Sequence, residues 1–237
     1  EVARYFRQQG ELAGQEVFLN SLRSQDALEL AAKSLESEAE SLEIDAPPMD
    51  SQHRTRYEDL RTEALGCVKC GLSKTRTQVV FSDGNPGARL MVVGEAPGAR
   101  EDQTGLAFVG PAGKLLDLLL ASVDLSRKSS AYICNVLKCR PPGNRNPLPA
   151  EIEACTPYLR KQIELIDPQA ILAVGTFSGQ FLTGQSRPLG RLRGEVFSYQ
   201  GVPVVVTYHP AALLRNPGWT RSTWDDLQLL RQVMDGD

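Results

Sequence analysis

Four short apolar runs recur along the chain, at 88–94, 131–138, 170–175 and 202–208. Helical stretches separate them, at about 113–121, 149–166, 176–183 and 221–234. Runs of this length, rich in Val, Ile, Leu and Ala, are the mark of strands buried on both faces. Strand alternating with helix predicts a parallel sheet with helices on both sides. Asp167-Pro168 stops the long helix before the third strand, Gly175 ends that strand, and Thr176 can cap the next helix. Such a sheet collects ligands at the carboxyl ends of its strands.

The first run leads into Gly94–Asp117, GEAPGAREDQTGLAFVGPAGKLLD, around which the other segments can be arranged. A Gly/Pro-rich turn carries Glu95, Glu101 and Asp102, Phe108 follows, and a second turn over Gly110–Gly113 opens a helix. The stretch gathers carboxylates, backbone N–H groups and one aromatic ring at a strand end. Asn135 lies near the end of the second run, where its amide can pair with one carbonyl and one N–H, as on the edge of a pyrimidine. His209 directly follows the fourth run and is held by Pro210, the position of a candidate electrophile or acid. Leu213 and Leu214 sit beside Arg215 in a Pro-bounded segment, which reads as an apolar wedge with a phosphate contact, or as a helix cap packed on the body.

Five cysteines are present, an odd number, and no apolar leader follows Arg4 and Arg7. A metal centre in a reducing cytoplasm is therefore expected in preference to disulfides. Cys67 and Cys70 form a CxxC pair, Cys139 follows the second strand, and Cys155 lies on a helix. Four thiolates suit Zn²⁺ or a [4Fe–4S] cluster, and two irregularly spaced single cysteines fit the larger group better. Cys134, inside the second strand, reads as a packing residue. His53 is the only other histidine and reads as incidental.

Residues 1–60 hold 6 Lys/Arg against 13 Asp/Glu, and residues 61–237 hold 20 against 16. An acidic segment thus masks a mildly basic body that is compatible with a polyanion. Residues 1–52 read as an acidic helical extension and linker, with a docking helix for another protein as one reading, and residues 53–237 as the functional domain. No run approaches the roughly 20 apolar residues of a membrane helix, so no membrane partner is expected.

GEAPG followed by ED, then GLAFVGPAG, NVLKCRPP and HPAALLRNP, together with the four-cysteine pattern, resembles the family 4, iron–sulfur uracil-DNA glycosylases over about residues 58–235. The resemblance implies a three-layer α/β/α fold with a four-stranded parallel sheet. It implies a [4Fe–4S] cluster on Cys67, Cys70, Cys139 and Cys155, and a monomer acting on uracil in single- or double-stranded DNA in base excision repair. By the same resemblance Phe108 stacks on a flipped uracil, Asn135 reads its edge, and His209 hydrogen-bonds O2 as the base departs. Glu95 and Ala96 line the pocket, and Glu101 positions water or stabilises the sugar cation. Family 1 enzymes carry an Asp where this chain has Ala96, so the carboxylate must come from elsewhere, Glu101 first and Glu95 second. A covalently trapping branch carries GEQPG and a Lys/Arg-rich insertion, neither of which is present. The alternatives are a non-catalytic uracil-DNA binder, separated by binding without release, a covalently trapping one, and an iron–sulfur redox protein, separated by activity that follows redox state.

Overall fold

The computed structural model describes residues 50–236. The acidic helical extension and linker read over residues 1–52 lies outside the described residues except for its last three residues. In chain order the elements are α1 (Ser51–Leu65), β1 (Asp83–Gly84), β2 (Leu90–Gly94), α2 (Ala99–Thr104), α3 (Pro111–Ala121), β3 (Ala131–Asn135) and α4 (Pro149–Ile166). They continue with β4 (Ala170–Val174), α5 (Thr176–Thr183), β5 (Val196–Tyr199), β6 (Val202–Thr207), α6 (Pro210–Leu213) and α7 (Thr220–Asp235).

The sheet order is β1-β3-β2-β4-β6-β5. The four central strands are parallel, as expected, and β1 and β5 add antiparallel edges. Every residue of β2, β3 and β4 is buried, so side-chain alternation sends each strand into two cores. Met91, Val93, Tyr132, Ile171 and Val204 lie in the core shared with α1, α4 and α5. Leu90, Val92, Ile133, Leu172 and Val205 face α3 and α7. This is the three-layer arrangement. Each buried aliphatic side chain stabilises it by about 1.5–3 kcal/mol, and truncating Ile133 to Ala would cost about 2–5 kcal/mol.

Helix ends follow local chemistry. Pro111 starts α3 at its first turn, where the missing N–H costs nothing. The Glu151 carboxylate accepts from the Leu148 N–H at 2.8 Å and fixes the start of α4. Asp167 adopts a left-handed φ of 46° and, before Pro168, ends it. α1 begins at Ser51. Asp50 caps it by accepting from the His53 N–H at 2.9 Å, so His53 belongs to its first turn.

Leu213 is not the exposed wedge expected from sequence. It lies in α6, 3 % exposed, packed into the core shared with α3 and α7, and the helix-cap reading holds for it. Leu214 is half-buried and Arg215 is exposed. Cys134 is fully buried in the core, as read. No helix among the described residues is long and apolar enough to cross a membrane.

Candidate functional site

A cleft of about 540 Å³ opens at the carboxyl ends of the parallel strands. It is lined by Glu95, Ala96 and Glu101 from the segment after β2, by Phe108, by Asn135 at the end of β3, and by His209 and Arg215 after β6. The structure thus gathers in one cavity every site residue expected from sequence except Leu213, Leu214 and the cysteines.

Gly94, at the end of β2, permits close packing against two cleft residues. A Cβ there would stand 2.4 Å from Asn135 Oδ1 and 2.7 Å from Phe108 Cζ, which leaves room for no other residue. Asn135 is 2 % exposed, and its Oδ1 is buried without a hydrogen-bond partner. A buried acceptor left open is costly unless something fills it. Its backbone carbonyl accepts from the buried Lys138 Nζ at 2.6 Å, which fixes the strand end.

Phe108 has a left-handed φ of 54°, unusual for a bulky residue. Arg127 holds it there. Its guanidinium donates to the carbonyls of Phe108 and Ala107, each at 2.8 Å, and pairs with Asp83 at 2.7 Å and Asp117 at 2.9 Å. Gly113 completes the fit, since a Cβ there would fall 1.7 Å from the Phe108 carbonyl oxygen.

The carboxylates differ. Glu101 Oε1 accepts from the N–H groups of Val109 and Gly110, both at 3.0 Å, and so ties α2 to the start of α3. Glu95 is half-buried, and burial pushes its carboxyl up from the usual range. Asp102 is buried and accepts from the Thr77 N–H at 2.9 Å, a scaffold contact.

His209 caps α6: its Nδ1 accepts from the Ala211 N–H at 3.1 Å. The ring proton of the neutral imidazole therefore lies on Nε2. Burial first, and the Arg215 charge second, push its pKa down to about 4 against an opposing pull from Glu101. Its ring stacks on Phe108 with centroids 5.5 Å apart and planes at 28°. Gly175, at φ 99°, leaves the room His209 occupies.

Among the cysteines, Cys139 and Cys155 are buried with Leu72, Val79 and Leu137, and Cys70 packs against the same cluster. Cys67 packs on the adjoining core. Burial pushes the Cys139 thiol up to about 11, with nearby Cys155 and Cys70 acting the same way. Burial also raises Cys155, with Cys70 and Cys67 contributing. Cys70, Cys139 and Cys155 thus share one small cluster, and Cys67 acts electrostatically on Cys155 from beside it. Arg76 Nη1 donates to Cys139 Sγ at 3.3 Å. Among the described residues no three His, Cys, Asp or Glu side chains converge as ligands of one metal ion.

Sequence reasoning missed Gly175, Thr176 and Phe177, and Asn144, Arg145 and Asn146, all of which line the cleft. Both groups follow parallel strands, the same positional signal that marked Asn135 and His209. Arg145 is held by a two-pronged pair with Glu151, at 2.5 and 2.9 Å.

The family model for the uracil DNA glycosylase superfamily matches residues 81–228. A Type-4 uracil-DNA glycosylase of Archaeoglobus fulgidus is 45% identical over 168 residues, covering 68% of this chain and 84% of that protein. One from Sulfurisphaera tokodaii is 39% identical over 184 residues, covering 74% and 84%. One from Thermotoga maritima is 45% identical over 152 residues, covering 63% and 79%.

Proposed function

The chain belongs to the uracil DNA glycosylase superfamily, and we propose that it flips uracil out of DNA and hydrolyses its N-glycosidic bond, leaving an abasic site. The observation that carries this reading is the buried open acceptor of Asn135 beside the Phe108 ring, with a neutral His209 donor alongside. A flat ring with a polar edge satisfies all three.

The offset stack of His209 on Phe108 puts the imidazole in the layer that a base on Phe108 would occupy. Its Nε2–H then meets O2 of the base edge-on. As the N1–C1′ bond breaks, its electron pair moves onto the uracil ring and O2, where that N–H stabilises the charge. One such donor is worth about 3–4 kcal/mol in the transition state. Positive charge left at C1′ is met by a carboxylate, as in glycoside hydrolysis. Water adds its oxygen to C1′ and gives up a proton, and the departing base is protonated in turn. Glu101 is our first choice for the carboxylate and Glu95 the second. Glu101 is already fixed by two backbone donors through Oε1, which leaves its other oxygen for water or the cation. Flipping costs a few kcal/mol, least at a mismatch. Arg215 lines the cleft, and its charge supports a role in holding a phosphate.

We assign a [4Fe–4S] cluster to Cys67, Cys70, Cys139 and Cys155. Cys70, Cys139 and Cys155 in one small cluster with Cys67 packed beside it would supply the four thiolates that such a group takes. When bound, it supplies cross-links between the segment after α1, the end of β3 and α4. Such thiols require a reducing compartment, which suits the cytoplasm.

The direct test is uracil release from a uracil-containing oligonucleotide by the cluster-loaded protein. Release, with an intact strand bearing an abasic site, is expected. Binding without release would sink the enzymatic reading.

A further inference from the structure

We propose that Trp219 is a stacking platform for an unpaired base flanking the uracil, a subsite that rests on the uracil-DNA reading above. Trp219 is 40 % exposed, and its ring lies nearly parallel on Tyr208, with centroids 4.6 Å apart and planes at 18°. Arg193 lies over the same Tyr208 ring at 4.4 Å. Arg193 in turn is pinned by Asp226 at 2.7 Å and by the Ser222 carbonyl. Asp226 is 2 % exposed and also accepts from the Thr207 hydroxyl at 2.7 Å.

A buried carboxylate thus anchors a cation, the cation steadies a tyrosine, and the tyrosine carries a tryptophan at the surface. The backbone acts in the same sense. Pro217 fixes the turn, and the Trp219 N–H donates to the Asn216 carbonyl at 3.1 Å. A rigid aromatic face held toward water loses little conformational entropy when it binds a flat partner.

Its position says what that partner is. Tyr208 directly precedes His209, and Trp219 lies four residues beyond Arg215, which lines the cleft. A strand whose uracil is in the pocket and whose phosphate is on Arg215 brings its neighbouring bases to this ledge. An aromatic face accepts any base, without sequence preference. In a duplex the neighbouring bases remain paired and stacked on each other, so the ledge serves single-stranded DNA.

The test uses the full chain and two arms. Trp224 is the only other tryptophan, so a His209→Ala, Trp224→Phe variant reports on Trp219 alone and does not turn over its ligand. A single-stranded uracil oligonucleotide is expected to quench its fluorescence, and a matched duplex to quench it far less. In the otherwise wild-type protein, Trp219→Ala is expected to raise KM for the single strand about tenfold. KM for a U·G duplex and kcat on either substrate should change less than twofold, and Trp219→Phe should restore most of the loss. No quenching by the single strand, or an equal KM change on both substrates, overturns the proposal. If wild-type protein releases no uracil at all, it is the enzymatic reading that falls, and the quenching arm still decides the platform.

Discussion

Arg127 donates to the carbonyl of Phe108 at 2.8 Å, and the Phe108 that it holds sits at a φ of 54°. A bulky residue in this region costs of order 1–3 kcal/mol and persists only where its surroundings enforce it. Arg127 does so by bonding two successive carbonyls while paired with Asp83 and Asp117. Burial raises the Asp117 carboxyl pKa against the opposing pull of Arg127, so that carboxylate depends on the pair. Arg127→Met should lower stability by about 2 kcal/mol, discounted from a fully buried pair because the carboxylates are partly exposed. It should also slow single-turnover uracil release tenfold or more. Arg127→Lys keeps a charge but cannot span both carbonyls, and should restore thermal stability better than rate. A normal rate in Arg127→Met would refute the clamp.

The pH dependence follows from His209. An ordinary histidine titrates near 6.5, and this one is held to about 4. Between those values the unfolded chain binds a proton that the folded chain does not. This group's contribution to stability is therefore full above 6.5 and is lost as pH falls toward 4. The uracil-release rate should show no titration at 6.5, since the Nε2–H donor is already neutral there. Rate profiles and chemical denaturation across pH 4–8 check both points, and in His209→Ala the histidine part of the stability slope should vanish.

Gly94→Ala tests how tightly the pocket is built. The added methyl would overlap both Asn135 Oδ1 and Phe108 Cζ, so one of them must move. A displacement of this size costs on the order of 10²-fold in rate. The strand itself is paired on both sides, so the protein should still fold. Circular dichroism beside uracil release separates the two effects.

What could be read from the sequence divides along physical lines. The parallel strands were legible because burial on both faces leaves uninterrupted apolar runs, and Asn135 and His209 were legible because each terminates one. β5 was not. Its exposure alternates, its outward residues are Val196 and Ser198, and it returns through Gln200 and Gly201, both at positive φ, where Asn-Gly is the stronger signal. β1 is two residues long and carries no period at all. Leu213 was misread because a leucine between a loop and Arg215 looks the same in sequence whether it points out or in. Arg127 was invisible, because nothing in its neighbourhood along the chain announces that it will bond to Phe108.

Removing one of the proposed cluster ligands should act on the fold before the chemistry. The cysteines join three separate segments, and Cys139 and Cys155 lie in one small apolar cluster. Cys155→Ala should lose iron and acid-labile sulfide together and lower the unfolding temperature by several degrees. A single zinc in place of both would show the cluster assignment to be mistaken.

Glu101 and Glu95 can be separated by substitutions that keep shape and remove charge. Glu101→Gln retains an oxygen able to accept from Val109 and Gly110, so its unfolding temperature should stay close to wild type, whereas Glu101→Ala leaves both N–H groups without their acceptor. If Glu101 only braces α2 against α3, Gln should restore activity as well. If its charge faces the sugar cation, Gln should keep the fold and still lose about 10²-fold or more in single-turnover rate, in the range of other electrostatic contacts in active sites. We expect the second result. Glu95→Gln should cost less, because burial already weakens the hold of Glu95 on its charge. A reversed order, with Glu95→Gln the more damaging, would move the water-positioning role to Glu95 and leave Glu101 as the brace that its two backbone bonds describe.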